Sequence, residues 1–82
     1  MQDHNMFSLY QPRYILSQNK NLLICFYYYQ SVRVEDGKLL AANYDNEDEL
    51  LGKYDDDKEA ARTLEELLIW LEQNRGTIFR VP

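Results

Sequence analysis

Two periodicities organise the chain. From Asp55 to Arg75, apolar residues return with helical spacing, and from Leu22 to Glu35 they alternate with a period of two. In the first segment Ala60, Ala61, Leu64, Leu67, Leu68 and Leu71 follow i, i+3, i+4, i+7 spacing, the core face of an amphipathic helix. Asp55, Asp56 and Asp57 are candidate N-caps, and Asp56 with Glu59 three residues on has the form of a capping box. Arg75 and Gly76 supply the stop, a cation for the last turn and a residue free to adopt the left-handed conformation. Ile69 projects away from the stripe and Trp70 lies on its flank. Either Trp70, partly covered, wraps over the sheet edge and Ile69 is a scattered exposed apolar residue, or the two form a contact surface for another chain.

In the second segment Leu22, Ile24, Phe26, Tyr28, Val32 and Val34 share one face, interrupted only by Gln30, and that face is expected under the helix. Asp36-Gly37 predicts a type I′ hairpin into Lys38 to Tyr44, since both central residues must take positive φ. A two-residue loop pairs Glu35 with Lys38, Val34 with Leu39, Val32 with Ala41 and Tyr29 with Tyr44. Cys25, in mid-strand, reads as a packed, inert thiol.

Shorter signals complete the reading. Met1 to Asn5 is polar and expected to fray; Met6 to Tyr10 and Arg13 to Ser17 read as short strands divided at Gln11-Pro12. Gln18 to Asn21 is a polar turn. Asp45 to Glu49 is an acidic connection. Leu50 to Tyr54 reads as a third meander strand in preference to a short helix stopped by Gly52, and Thr77 to Val81 as a final strand. The expectation is one α+β domain over residues 1 to 82, an antiparallel β-sheet of about four or five strands packed by a C-terminal amphipathic helix and followed by a last strand.

Charge sharpens the picture. The formal net charge is −5, but residues 45 to 72 hold eleven acidic and three basic side chains, a local −8, which leaves +3 elsewhere. Without a basic face, direct nucleic-acid binding is not expected. The longest apolar run is too short to span a bilayer and no leader pattern is present, so the expected setting is soluble and cytoplasmic, with no membrane partner. A single Cys rules out an intramolecular disulfide.

Catalytic chemistry finds few residues to work with. The one histidine, His4, lies in the polar tail, so neither a Ser/His/Asp nor a Cys/His arrangement is expected. Asp45 to Glu49 has some of the acidity of a calcium loop but lacks the Gly at its sixth position and the Glu at its twelfth. Gly37, Gly52 and Gly76 stand too far apart for a phosphate loop. No enzyme activity, cofactor or metal is expected.

Leu51-Gly52-Lys53-Tyr54, followed by Ala60 or Ala61, Leu64, Leu67 and the closing Phe79-Arg80-Val81-Pro82, resembles a pattern found in small β-β-β-α-β proteins of phages and mobile elements. The resemblance covers the C-terminal half. It implies an inhibitor of a host or defence protein, in the manner of an anti-CRISPR. On that reading Asp45, Glu47, Asp48 and Glu49, then Asp55, Asp56 and Asp57, present two acidic clusters roughly 17 Å apart across a five-residue strand. They would address a protein partner whose basic surface ordinarily holds nucleic acid, with Ile69 and Trp70 as further contacts. The alternative is a structural or assembly module, a homodimer built on Tyr27, Tyr29 and Tyr44 or on an open sheet edge.

Overall fold

In the computed structural model the described residues are 12 to 82, so the expected tail Met1 to Asn5, His4 and the expected strand Met6 to Tyr10 lie outside them. Among the described residues the fold is α+β: six strands, one 3-10 turn and one long helix, with a last strand after the helix. The strands are β1 (Tyr14–Leu16), β2 (Leu23–Cys25), β3 (Tyr29–Glu35), β4 (Lys38–Asn43), β5 (Asp48–Lys53) and β6 (Ile78–Arg80), and the helix α1 is Asp57–Gln73. They make two sheets of three strands, ordered β2-β1-β6 and β3-β4-β5, rather than the single antiparallel sheet expected.

The division falls inside the segment read as one long strand. Phe26–Tyr28 forms a 3-10 turn between β2 and β3. Strict alternation therefore fails there, and Tyr28, placed by period with the core face, is 70% exposed. Beyond the turn the expected register holds at Glu35 with Lys38, Val34 with Leu39 and Val32 with Ala41. A bulge between Tyr29 and Ser31 then moves Tyr29 opposite Asn43 instead of Tyr44. Gln30 is the extra residue, and the bulge absorbs the polar interruption in the pattern. At the hairpin tip Asp36 and Gly37 both have positive φ, 52° and 73°, as a type I′ turn requires.

β5 is a meander strand, as preferred, and it begins earlier than the apolar residues suggested. Asp48 and Glu49 belong to it, paired with Ala42 and Ala41. The reversal before it is organised by Asn43, whose Oδ1 accepts from the N–H groups of Asp45 and Glu47 at 2.9 and 3.0 Å.

The second sheet is assembled from distant parts of the chain. β1 pairs antiparallel with β2 and parallel with β6, with Ile15 opposite both Ile24 and Phe79. Gln18 ties this sheet to the other: its N–H donates to Leu51 O at 2.7 Å, its Oε1 accepts from Lys53 N–H at 2.8 Å, and its Nε2 donates to Pro82 O at 3.1 Å. Tyr54 Oη also donates to Pro82 O, at 2.7 Å. One apolar core, including Ile15, Ile24, Leu39, Leu51, Leu67, Trp70 and Phe79, is shared by both sheets and the helix.

α1 begins as its sequence signalled and ends differently. Asp56 is the N-cap, accepting from Glu59 N–H at 2.9 Å. The left-handed cap is Asn74 rather than Gly76, so Arg75 falls beyond the last turn. Asn tolerates positive φ, and its side chain is held by the Arg13 guanidinium. The buried face is Ala60, Thr63, Leu67 and Trp70, with Leu64 and Leu71 half-covered. Relative to the expected stripe it is rotated toward Trp70: Ala61 is exposed and Leu68 is 53% exposed. The cause is tertiary. β6 places Phe79 against Trp70, ring centroids 5.6 Å apart, and Arg13 covers the indole at 5.8 Å.

Candidate functional site

The acidic residues singled out by sequence do not form one continuous belt. Asp55, Asp56 and Asp57 sit beside the Asp36-Gly37 turn, at one end of the β3-β4-β5 sheet. Asp57 Oδ1 accepts from Gly37 N–H at 2.5 Å, while Asp56 is engaged by its capping bond. Asp45, Glu47, Asp48 and Glu49 belong to the opposite end, where β5 starts. That second group is divided again between faces, because successive residues of a strand point oppositely. Glu49 lies across from Ala41, which faces the helix, whereas Asp48 lies on the other face.

Asp48 also has a structural partner. Arg33 Nη1 and Nη2 donate to its two carboxylate oxygens at 2.9 and 2.8 Å, and Arg33 Nε donates to Glu35 at 3.1 Å. The fork geometry suits a bidentate pair. The hydrogen bonds from Arg33 hold the Asp48 carboxyl below its usual range and push the guanidinium still higher. Among the described residues, Asp48 is the one acid of the two clusters with a cationic partner within salt-bridge distance. Asp45, Glu47 and Asp55 remain exposed, and Glu49 is half-exposed. Burial, followed by the nearby charges of Glu49 and Glu47, raises the Tyr29 phenol, a sign of negative potential at this end of the sheet.

Ile69 and Trp70 part company. Ile69 is 43% exposed, whereas Trp70 is only 8% exposed and belongs to the core, correcting the expectation that, on the flank of the stripe, it is only partly covered. Trp70 and Phe79 form the floor of a shallow concavity rimmed by Ile69, Glu66 and Arg75. A contact here would be made by Ile69 and its charged neighbours.

A second concavity, about 200 Å³, runs between α1 and the edge of β3 and is lined by Phe26, Tyr29, Val32, Leu64, Leu68 and Leu71, among others. It is smaller than the roughly 300 to 1,000 Å³ usual for small-molecule sites. Sequence pattern alone had concealed it, because the helical period assigned Leu68 to the core. The Arg33 to Asp48 pair was likewise hidden: it depends on β5 starting at Asp48.

Among the described residues there is no cluster of three or more His, Cys, Asp or Glu arranged to hold a metal, and no helix is long and apolar enough to cross a membrane. Cys25 is half-buried on β2. No protein-family model, curated protein or solved structure matches the chain.

Proposed function

We propose that the chain is a non-enzymatic protein-binding module that engages a basic surface of a protein partner, in the way that inhibitors from phages and mobile elements, anti-CRISPR proteins among them, block surfaces meant for nucleic acid. The observation that supports this is the exposure of Asp45, Glu47 and Asp55 without a cation within salt-bridge distance among the described residues. An unneutralised acidic surface on a chain of net charge −5 attracts basic partners and raises their encounter rate. Asp48, Asp56 and Asp57 take a lesser part, since each already serves a pair, a cap or a turn. Ile69, beside Glu66, adds an apolar contact at a separate place on the helix.

A homodimeric assembly module is the second reading, favoured by the exposure of Tyr28 and Tyr44. The two separate on a charge-neutralised variant, Asp45→Asn/Glu47→Gln/Glu49→Gln/Asp55→Asn, compared with the parent for capture of proteins from the native host. Association of the captured protein is then followed across salt concentrations. The acidic reading expects slower association and a flatter salt dependence with the fold retained. Equal rates and equal salt dependence for parent and variant would sink it.

A further inference from the structure

The ladder of the β3-β4 hairpin makes no use of the Gly37 N–H. In a two-residue loop the backbone bonds join Glu35 and Lys38, so a donor inside the loop takes its partner from elsewhere. The partner here is Asp57, twenty residues further on, whose Oδ1 accepts from Gly37 N–H at 2.5 Å. Gly37 O in turn accepts from Tyr54 N–H at 2.8 Å. Gly37 is thereby pinned on both sides and buried, while Asp36 beside it is exposed.

Asp36-Gly37 is also the one Asp-Gly step in the sequence, and no Asn precedes a Gly. Glycine has no Cβ to shield its nitrogen, so such a step is open to a reaction of the chain on itself. The Gly37 nitrogen bonds to Cγ of the protonated Asp36 carboxyl, and the N–H proton leaves with the hydroxyl as water. Water then adds to the main-chain carbonyl of the resulting five-membered imide and breaks its bond to nitrogen, which leaves the chain running through the Asp36 side chain as an isoaspartyl link. The water lost in the first step is regained in the second, so the mass is unchanged.

We propose that Asp36 is a site of spontaneous isomerisation and that the Asp57 carboxylate is the group that restrains it in the folded protein. The attacking nitrogen must give up its bond to Asp57 and turn toward the Asp36 carboxyl. A hydrogen bond to an ionised acceptor is among the stronger ones, and the Tyr54 bond to Gly37 O resists the same movement. The product carries one more main-chain carbon through the turn, so Glu35 and Lys38 no longer close on a two-residue loop and the Tyr54 bond is displaced. Asp57 therefore guards the hairpin tip against which the start of α1 is held.

The test follows the peptide Val34 to Lys38, released by trypsin after Arg33 and Lys38, during long incubation of the full chain in neutral buffer. Its isoaspartyl form has the same mass and separates by chromatography. Asp57→Ala and Asp57→Asn are each compared with the parent held in enough urea to match the variant's stability. Asp57→Ala is expected to isomerise on the order of tenfold faster than its matched parent, the factor that corresponds to one hydrogen bond to a charged group. Asp57→Asn, which keeps an acceptor oxygen at the position, is expected to fall between them, and it supplies the comparison if Asp57→Ala does not fold. Equal rates in variant and matched parent would overturn the proposal, because general opening of the fold would then account for the reaction. A slower reaction without the Asp57 carboxylate would overturn it too, since that group would then be taking the Gly37 proton rather than holding it. So would an Asp36 that stays unmodified even in the fully unfolded parent.

Discussion

The two sheets are built on opposite plans. β3-β4-β5 is local: strands of six or seven residues joined by tight reversals, each pairing with its neighbour in sequence. β2-β1-β6 is non-local: three-residue strands, one of them drawn from the far end of the chain to lie parallel to β1. Loop closure between distant segments costs entropy before any contact repays it. Three residues of ladder are too few to do so alone, and the small sheet therefore depends on side chains: Trp70 on Phe79, Arg13 over Trp70 and onto Leu71 O, and Gln18 bonded across to β5. The hairpin sheet depends instead on turn geometry and a shared apolar face.

Removing Trp70 is the strongest way to break that contrast. Trp70→Ala is expected to cost about 3 to 5 kcal/mol, the range for large aromatic truncations in a core. Urea unfolding measures the total, and amide exchange locates it, with Ile15 and Phe79 losing protection ahead of Leu39 and Ala41. Uniform loss across both sheets would mean that they do not differ in autonomy.

The complementary break is at the hairpin. Gly37 has φ of 73°, and an added Cβ would stand 2.8 Å from the Tyr54 carbonyl oxygen. Gly37→Val is expected to lower stability by about 1 to 3 kcal/mol from the backbone conformation alone, with the close contact adding to it. Thermal unfolding is the measure. An unchanged midpoint would refute the turn.

The smallest effect sharpens the comparison at the bulge. The raised pKa of Tyr29 favours the neutral phenol in the folded protein, so this contribution is intact below the ordinary tyrosine value of about 10 and is lost as pH rises through the folded value. Tyr29→Phe is expected to flatten the decline of stability above about pH 10. Denaturant titrations on either side of that pH provide the comparison; identical slopes for parent and variant would remove burial and the charges of Glu49 and Glu47 together as influences on this phenol.

What the sequence determined by itself is what short-range physics decides. The Asp36-Gly37 turn, three of the four expected pairs beside it, the Asp56 cap and the helical span follow from φ preferences, capping bonds and periodicity, all of which act within a few residues. Only the tertiary structure decided the rest. Periodicity gives a helix an apolar face but not the neighbour that covers each part of it; Trp70 is buried because β6 returns with Phe79, and Leu68 stands exposed because the described sheet ends at β3. Alternation likewise continued through Phe26 to Tyr28 in pattern, yet the chain turns there because two sheets, not one, share the core. The acidic residues show the same division. Their composition was legible, whereas the Arg33 bridge to Asp48 and the separation of the clusters to opposite sheet ends required strand pairings that no local rule supplies.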